Sequence, residues 1–281
     1  MIIYRDIPGT KLKFIIWWAL HFISHAWGPV THLYICSLAG EGSSSGCNSP
    51  DVLKVAWPEL HSLEFAAELF WHAHNSTNHD LIEFALGFGC HVSSDLVGHH
   101  ANGFLNPPSA DHEIEFNVDS MIFHERLGKR LNVLKKYYLS EQEVDLILKA
   151  SSTYYTVTKS SMKRNLRRNL TELNHIDRTR IESAINRYNL IVSTENALIR
   201  LQPSFMNKFE LQQHSFCLSN NFHEVEMNFN ASAEWAVSTC MFWKKSMWAL
   251  VERGDIGEAG SLLRREVDEL FRSNNGTSCI M

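Results

Sequence analysis

The sequence predicts an all-α fold, and three observations carry that reading. Apolar residues recur at helical spacing through long segments, and those segments open on capping residues such as Asp80 with Glu83 and Ser140 with Glu143. No hairpin signals and no internal repeats interrupt them. With 281 residues, 44% of them hydrophobic, the chain can bury a large core, and no shift in composition marks a domain boundary. One compact multi-helix domain over residues 27–281 is therefore expected.

Ahead of it, Arg5, Lys11 and Lys13 precede the apolar run 14–23, and Ser24-His25-Ala26 follows before Trp27. That is the order of a secretory signal peptide of residues 1–26, the run being too short to span a bilayer; the alternative is an uncleaved, buried N-terminal helix. Removing this segment, with its three basic residues and Asp6, leaves 23 basic and 30 acidic residues, a net charge of about −7. Nothing basic then recruits nucleic acid or anionic lipid. Secretion also suits four N-glycosylation acceptors, at Asn75, Asn169, Asn230 and Asn275, and six cysteines that all lie beyond residue 26. Cys36 with Cys47 and Cys217 with Cys240 are the disulfide pairs to try first, whereas Cys90, inside a helix, reads as a buried thiol. No apolar C-terminal tail suggests a lipid anchor, so a soluble mature protein is expected.

In chain order, Val30–Gly40 reads as a helix with His32 near its start, and residues 41–46 as a flexible Gly/Ser turn. An irregular stretch through Ser49-Pro50-Asp51 leads to Trp57-Pro58, and a helix from Glu59 to His72 carries His61 in its first turn. His72, His74 and His79 belong to a polar segment with a glycosylation acceptor and read as exposed loop residues. The helix opened by Asp80 carries Ile82, Phe84, Ala85, Leu86 and Phe88 and reads as largely buried. Pro107-Pro108 exclude helix, and a new one runs from Ser109 to about Asn132. Further helices cover 140–159, 177–201 (ended by Pro203), 224–253 and 258–272. Trp235, Phe242, Trp243 and Trp248 at helical spacing read as core, and the basic run 159–168 as a solvated face.

Candidate chemistry is concentrated in the first half, because 12 of the 15 histidines lie between His21 and His124. On the helix from Asp80, residues His91, Asp95 and His99 are spaced by four and share one stripe, with neighbouring Cβ atoms about 6 Å apart. Two imidazoles and a carboxylate on a buried stripe need compensation, from a divalent metal or from neighbouring polar side chains. The rise from His91 to His99 is about 12 Å, long for two ligands of one ion, so Asp95 between them is placed to bridge two. His112 and Glu115, with Asp119 one turn on, form a second candidate face, or else a solvated acidic first turn favoured by the helix dipole.

Four pieces stand in this order: Trp27-Gly28 with Thr31-His32; Pro50-Asp51 with His61; Phe84-Ala-Leu-Gly87 leading to His91-x3-Asp95-x3-His99; and His112 followed by an acid. Together they resemble the zinc-dependent phospholipases C, specifically the branch that includes the catalytic domain of glycosylphosphatidylinositol-specific phospholipase D. The resemblance covers about residues 27–120, the remainder sharing only helical character. It implies a compact helical domain of the zinc-dependent phospholipase C and single-strand nuclease type, with two or three zinc ions in a cleft. In that family the mature N-terminal residue holds one ion through its own amino and carbonyl groups, and here that residue is Trp27. Carried over, Trp27, His32 and Asp95 hold one zinc, Asp51, His61, His91 and Asp95 another, and His99, His112 and Glu115 the third. The bacterial enzymes place the last acid four residues after the histidine, whereas Glu115 is three after His112 and Phe116 occupies the fourth place. Glu115 and Asp119 both stay open for that role, and His100 competes with His99, although the three intervening residues favour His99.

The resemblance further implies a secreted phosphodiester hydrolase acting on phospholipid or glycosylphosphatidylinositol, with transient contact at a membrane surface. Zinc would activate the attacking water and Asp51 would orient or deprotonate it. A single-strand nuclease of related fold would want a basic, aromatic groove, which this acidic sequence does not offer. A third reading is a metal-stabilised binding protein whose altered spacing at Glu115 has spoiled one site.

Overall fold

The computed structural model describes residues 27–40, 44–100, 103–105, 111–127, 136–162, 176–201, 222–254 and 256–273. Regular structure among them is helical throughout: α1 (Pro29–Leu38), α2 (Ser44–Lys54), α3 (Leu63–Asn75), α4 (His79–Gly98), α5 (Asp111–Met121), α6 (Glu141–Met162), α7 (Arg178–Leu201), α8 (Phe222–Arg253) and α9 (Ala259–Ser273). Short 3-10 turns at Pro58–Leu60 and Ile256–Glu258 and a π turn at Ile122–Arg126 complete it. None of the described helices is long and apolar enough to cross a membrane. The expected signal segment 1–26, Pro107-Pro108, residues 163–168 of the basic run, Cys217, Asn169 and Asn275 lie outside the described residues.

The caps show why these helices start where they do. At α6 the Glu143 N–H donates to the Ser140 hydroxyl (3.2 Å) and the Ser140 N–H donates back to Glu143 (2.6 Å), a reciprocal box read correctly from sequence. Asp177 accepts from the Arg180 N–H at 2.8 Å and opens α7. At α4 the cap is Asn78 rather than Asp80: its side chain accepts the Asp80 N–H at 3.0 Å, so the cap lies two residues earlier than expected. Ser62 caps α3 by accepting the Phe65 N–H at 3.2 Å. His61 therefore precedes that helix instead of lying in its first turn.

Helix α4 is the buried axis that its apolar body predicts, with Leu81, Phe84, Phe88, Val92 and Val97 all inside. Two apolar clusters meet on it. One gathers Phe65, Phe70, Phe84, Phe88 and Trp243; the other gathers Trp27, Phe104, Ile114, Phe229 and Phe271. Burial of each such aromatic contributes about 2–3 kcal/mol. α8 crosses α4 so closely that a Cβ on Gly89 would fall 1.9 Å from the Trp243 indole nitrogen. Of the aromatic series on α8, Trp243 is core, Trp235 packs edge-on against Phe271, and Trp248 covers Phe70 at the surface.

Several expectations are corrected. Residues 44–46 of the Gly/Ser turn and the stretch after them to Lys54 form α2, with Pro50 inside the helix. Burial of Cys47, Val52 and Leu53, and a disulfide from Cys36 to Cys47, outweigh the local breakers. His72 and His74 are not loop residues; α3 continues to Asn75 because Ala73 is buried, His74 packs on Trp248, and His72 reaches the Thr153 hydroxyl at 2.9 Å. Of the helix expected over 109–132, the described residues form α5 as far as Met121 and then the π turn to Arg126. Cys36–Cys47 forms as expected, but Cys240 pairs with Cys90, which is therefore no thiol; their Cα atoms lie 4.5 Å apart where α4 meets α8. Among the glycosylation acceptors, Asn75 is exposed at the end of α3. Asn230 is within α8, bonded to Arg126, with Ser232 buried, a poor place for a glycan.

Candidate metal centre

The site forms where α1, α2 and α4 converge beside the turn that precedes α3. His32 comes from the first turn of α1, Asp51 from the last turn of α2, His61 from the end of the Pro58–Leu60 turn, and His91 and Asp95 from successive turns of α4. Asp119 of α5 positions α1: its carboxylate accepts the Val30 N–H (2.9 Å), the Thr31 N–H (2.8 Å) and the Thr31 hydroxyl (2.6 Å), satisfying amides at the helix start. The close approach needs Gly28, where a Cβ would meet the Asp119 carboxylate at 2.4 Å. Trp27 is buried, and its indole N–H donates to the Ser94 carbonyl at 3.2 Å, beside Asp95.

The five side chains make a tight knot. Asp95 Oδ1 lies 3.1 Å from His32 Nε2; its Oδ2 lies 3.1 Å from His61 Nε2 and 3.5 Å from His91 Nε2. Asp51 Oδ1 lies 3.5 Å from His91 Nε2 and 3.7 Å from His61 Nε2. His61 and His91 Nε2 are 3.1 Å apart, and the His32 and His91 rings stack at 3.5 Å. Two overlapping groups, His32 with Asp51 and His91, and His61 with His91 and Asp95, each bring one ligand atom per residue to within 4.8 Å of the others, close enough to hold a metal ion.

Outer partners orient the rings. His91 Nδ1 lies 2.7 Å from the Cys47 carbonyl, so it carries the proton, donates it there, and turns the Nε2 lone pair inward. The Ser94 hydroxyl already donates to the His91 carbonyl (2.8 Å), so at 3.3 Å it accepts from His32 Nδ1 and leaves that ring's Nε2 lone pair inward too. His32 Nε2 and both Asp95 oxygens are then buried without an aligned hydrogen-bond partner, despite the 3.1 Å approach of Nε2 to Oδ1. Converging lone pairs of this kind fit a cation.

The electrostatics agree. Burial alone would raise the Asp95 carboxyl, but the imidazoles of His32 and His91, and of His61 close beside it, outweigh burial and hold it well below the usual range. Burial likewise opposes charge on Asp51, and His91, His32 and Lys54 outweigh it, so this carboxyl is also held low. Both carboxylates are ionised and require positive charge between them, from imidazolium protons or from a metal.

The remaining expected ligands fare differently. His99 is exposed at the end of α4 and lines a cavity of about 420 Å³ together with His61 and Asp95. Its neighbour His100 faces α9, 3.3 Å from Asp268 and stacked on Phe271. Glu115 is buried and belongs to neither group, and Asp119 is buried and committed to capping α1, so neither of these two acids is solvated. His112 lies in the first turn of α5, and its side chain falls outside the described residues. Sequence reasoning missed the Cys47 carbonyl, which no spacing reveals, and Ser94, which was legible as a polar residue next to Asp95 on a buried helix. Compared with known proteins, the chain matches no family model, no curated protein and no solved structure.

Proposed function

We propose that the protein is a secreted zinc-dependent phosphodiesterase that hydrolyses phospholipids, of the phospholipase C kind or directed at glycosylphosphatidylinositol. The observation that carries this reading is the pair of His/Asp groups overlapping at His91, with two ionised carboxylates turned toward it, at the edge of a cavity large enough for a phosphodiester headgroup. A set of imidazoles and carboxylates suits zinc. His32, Asp51, His61, His91 and Asp95 would hold two ions, and Trp27 and His99 stand nearby as further ligands. When bound, zinc supplies Lewis acidity toward the phosphoryl oxygens and brings water ionisation toward neutral pH.

The chain's own residues do the rest. Asp51, whose side chain keeps 16% exposure beside His61 and His91, orients the attacking water. Asp95 keeps its charge and ties the two groups together, while Cys47 and Ser94 fix the rings. Apolar side chains on the cavity wall, Leu63, Val92, Leu96 and Val267, favour a lipid over a nucleotide beside the scissile group. Two disulfides accord with an oxidising compartment.

Incubating the purified protein with phosphatidylcholine, a glycosylphosphatidylinositol-anchored protein and single-stranded DNA, with and without zinc, tests the reading. Zinc-dependent release of a lipid headgroup or of the anchored protein is expected, and the products identify the bond cut. Cleavage of DNA alone, or of nothing at full zinc loading, overturns it.

A further inference from the structure

We propose that Arg264 of α9 is the phosphate-binding residue of this site, gripping the non-bridging oxygens of the substrate while its reacting phosphorus lies against the His61 and Asp95 edge. The proposal rests on the phosphodiesterase reading and adds a residue to it from a helix that contributes no candidate metal ligand.

Arg264, His61 and Asp95 line one cavity of about 420 Å³. A space of that volume is roughly 9 Å across if near spherical, so an anion seated at His61 and Asp95 is within reach of a guanidinium on the α9 wall. Histidines apart, Arg264 is the one cationic side chain among the described residues that line it. The arginine fork matches two phosphoryl oxygens at once, which a lysine does not.

Arg264 is held ready rather than locked. Its partner is Glu64 of α3 at 3.0 Å, but both side chains are about half exposed, at 50% and 48%, and an ion pair in that setting is weak and readily exchanged. The backbone makes room for the pair: a Cβ on Gly260, one turn before Arg264, would fall 2.6 Å from the Glu64 carboxylate and 3.3 Å from the guanidinium. The other charge on the α9 wall, Asp268, is engaged by His100.

Three variants of the full-length, zinc-loaded protein decide the matter: Arg264→Ala, Arg264→Lys and Glu64→Gln. Each is measured for zinc content, for affinity toward inorganic phosphate by calorimetry, and for phosphatidylcholine hydrolysis. Arg264→Ala should keep its zinc and lose about 10- to 100-fold in phosphate affinity, the loss expected for charge-assisted hydrogen bonds. Arg264→Lys should recover part of this. Glu64→Gln breaks the same ion pair but leaves the guanidinium, and should bind phosphate as well as or better than the parent. Unchanged phosphate affinity in Arg264→Ala, or an equal loss in Glu64→Gln, overturns the proposal. A parent protein that binds phosphate and hydrolyses no phosphodiester speaks against the enzymatic reading alone, since the phosphate affinities still judge Arg264.

Discussion

At the scale of single residues, Asp95 carries the most. Its two oxygens face different imidazoles, Oδ1 toward His32 and Oδ2 toward His61 and His91, so one charge serves both metal-sized groups. Asp95→Asn removes that charge and points an amide at an imidazole lone pair. It should lose more metal than any other single substitution, as elemental analysis of the purified variant will show; parental zinc content would count against bridging. Asp51→Asn should keep its circular dichroism and lose orders of magnitude in turnover, as the removal of a base or ligand does. Near-normal hydrolysis of every phosphodiester tested would exclude Asp51 from the chemistry. Asp95 was legible because a four-residue period on a buried helix is visible in one dimension. Asp51 and His61 come from other elements and were recognised through the order of motifs in a resembling family. The role of Asp119 was hidden, because its partners are the backbone amides of a helix some ninety positions away.

Among the elements, α4 unites the ligands with the core, and two of its contacts make separate predictions. Gly89→Ala would drive a methyl group into the buried Trp243 ring, and should cost about 2–3 kcal/mol in urea unfolding with an unchanged denaturant slope. The Cys36–Cys47 disulfide anchors the strip of α2 whose carbonyl orients His91. Replacing both cysteines by serine should therefore lower zinc affinity about tenfold, measured by chelator competition, in addition to any loss of stability. Affinity equal to that of the parent would mean that burial alone holds the Cys47 carbonyl in place. Helices α6 and α7 could be bounded from sequence because their starts are decided by side chains within three residues. Helix α2 could not, since its Gly/Ser and Pro50 signals are local while the burial that overrides them is tertiary. The Cys90–Cys240 pair escaped for the same reason, being a contact between residues 150 apart in sequence.

For the molecule as a whole, buried carboxyls set opposite pH dependences. Asp51 and Asp95 are held low, so their contribution is present above about pH 4 and lost as pH falls. Asp119 and Glu195 are raised, chiefly by burial: Asp119 to about 6 against the bonds it accepts, and Glu195 well above its usual value, with the neighbouring Asp119 charge adding to the effect. Their contribution is full below about pH 4 and is lost as pH rises, through about 6 for Asp119 and higher for Glu195. In chelator, the protein should therefore lose stability from pH 5 to pH 8. Glu195→Gln can still donate to Asp119 without needing a proton. It should match the parent near pH 5 and exceed it by about 1–3 kcal/mol at pH 8 in urea titrations. Parallel pH profiles for the two would show that Glu195 does not hold its proton through that range.

The bond between Cys90 and Cys240 joins the helix that carries His91 and Asp95 to the helix that crosses it. It turns the intervening chain, α5, α6 and α7 included, into a covalent ring. A protease that cuts once inside that ring leaves both fragments attached, with the ligand-bearing half still tethered to α8 and α9. Such a nicked molecule would run as a single species until a reductant parted it, and the bond would let it survive a cut that would divide an open chain in two.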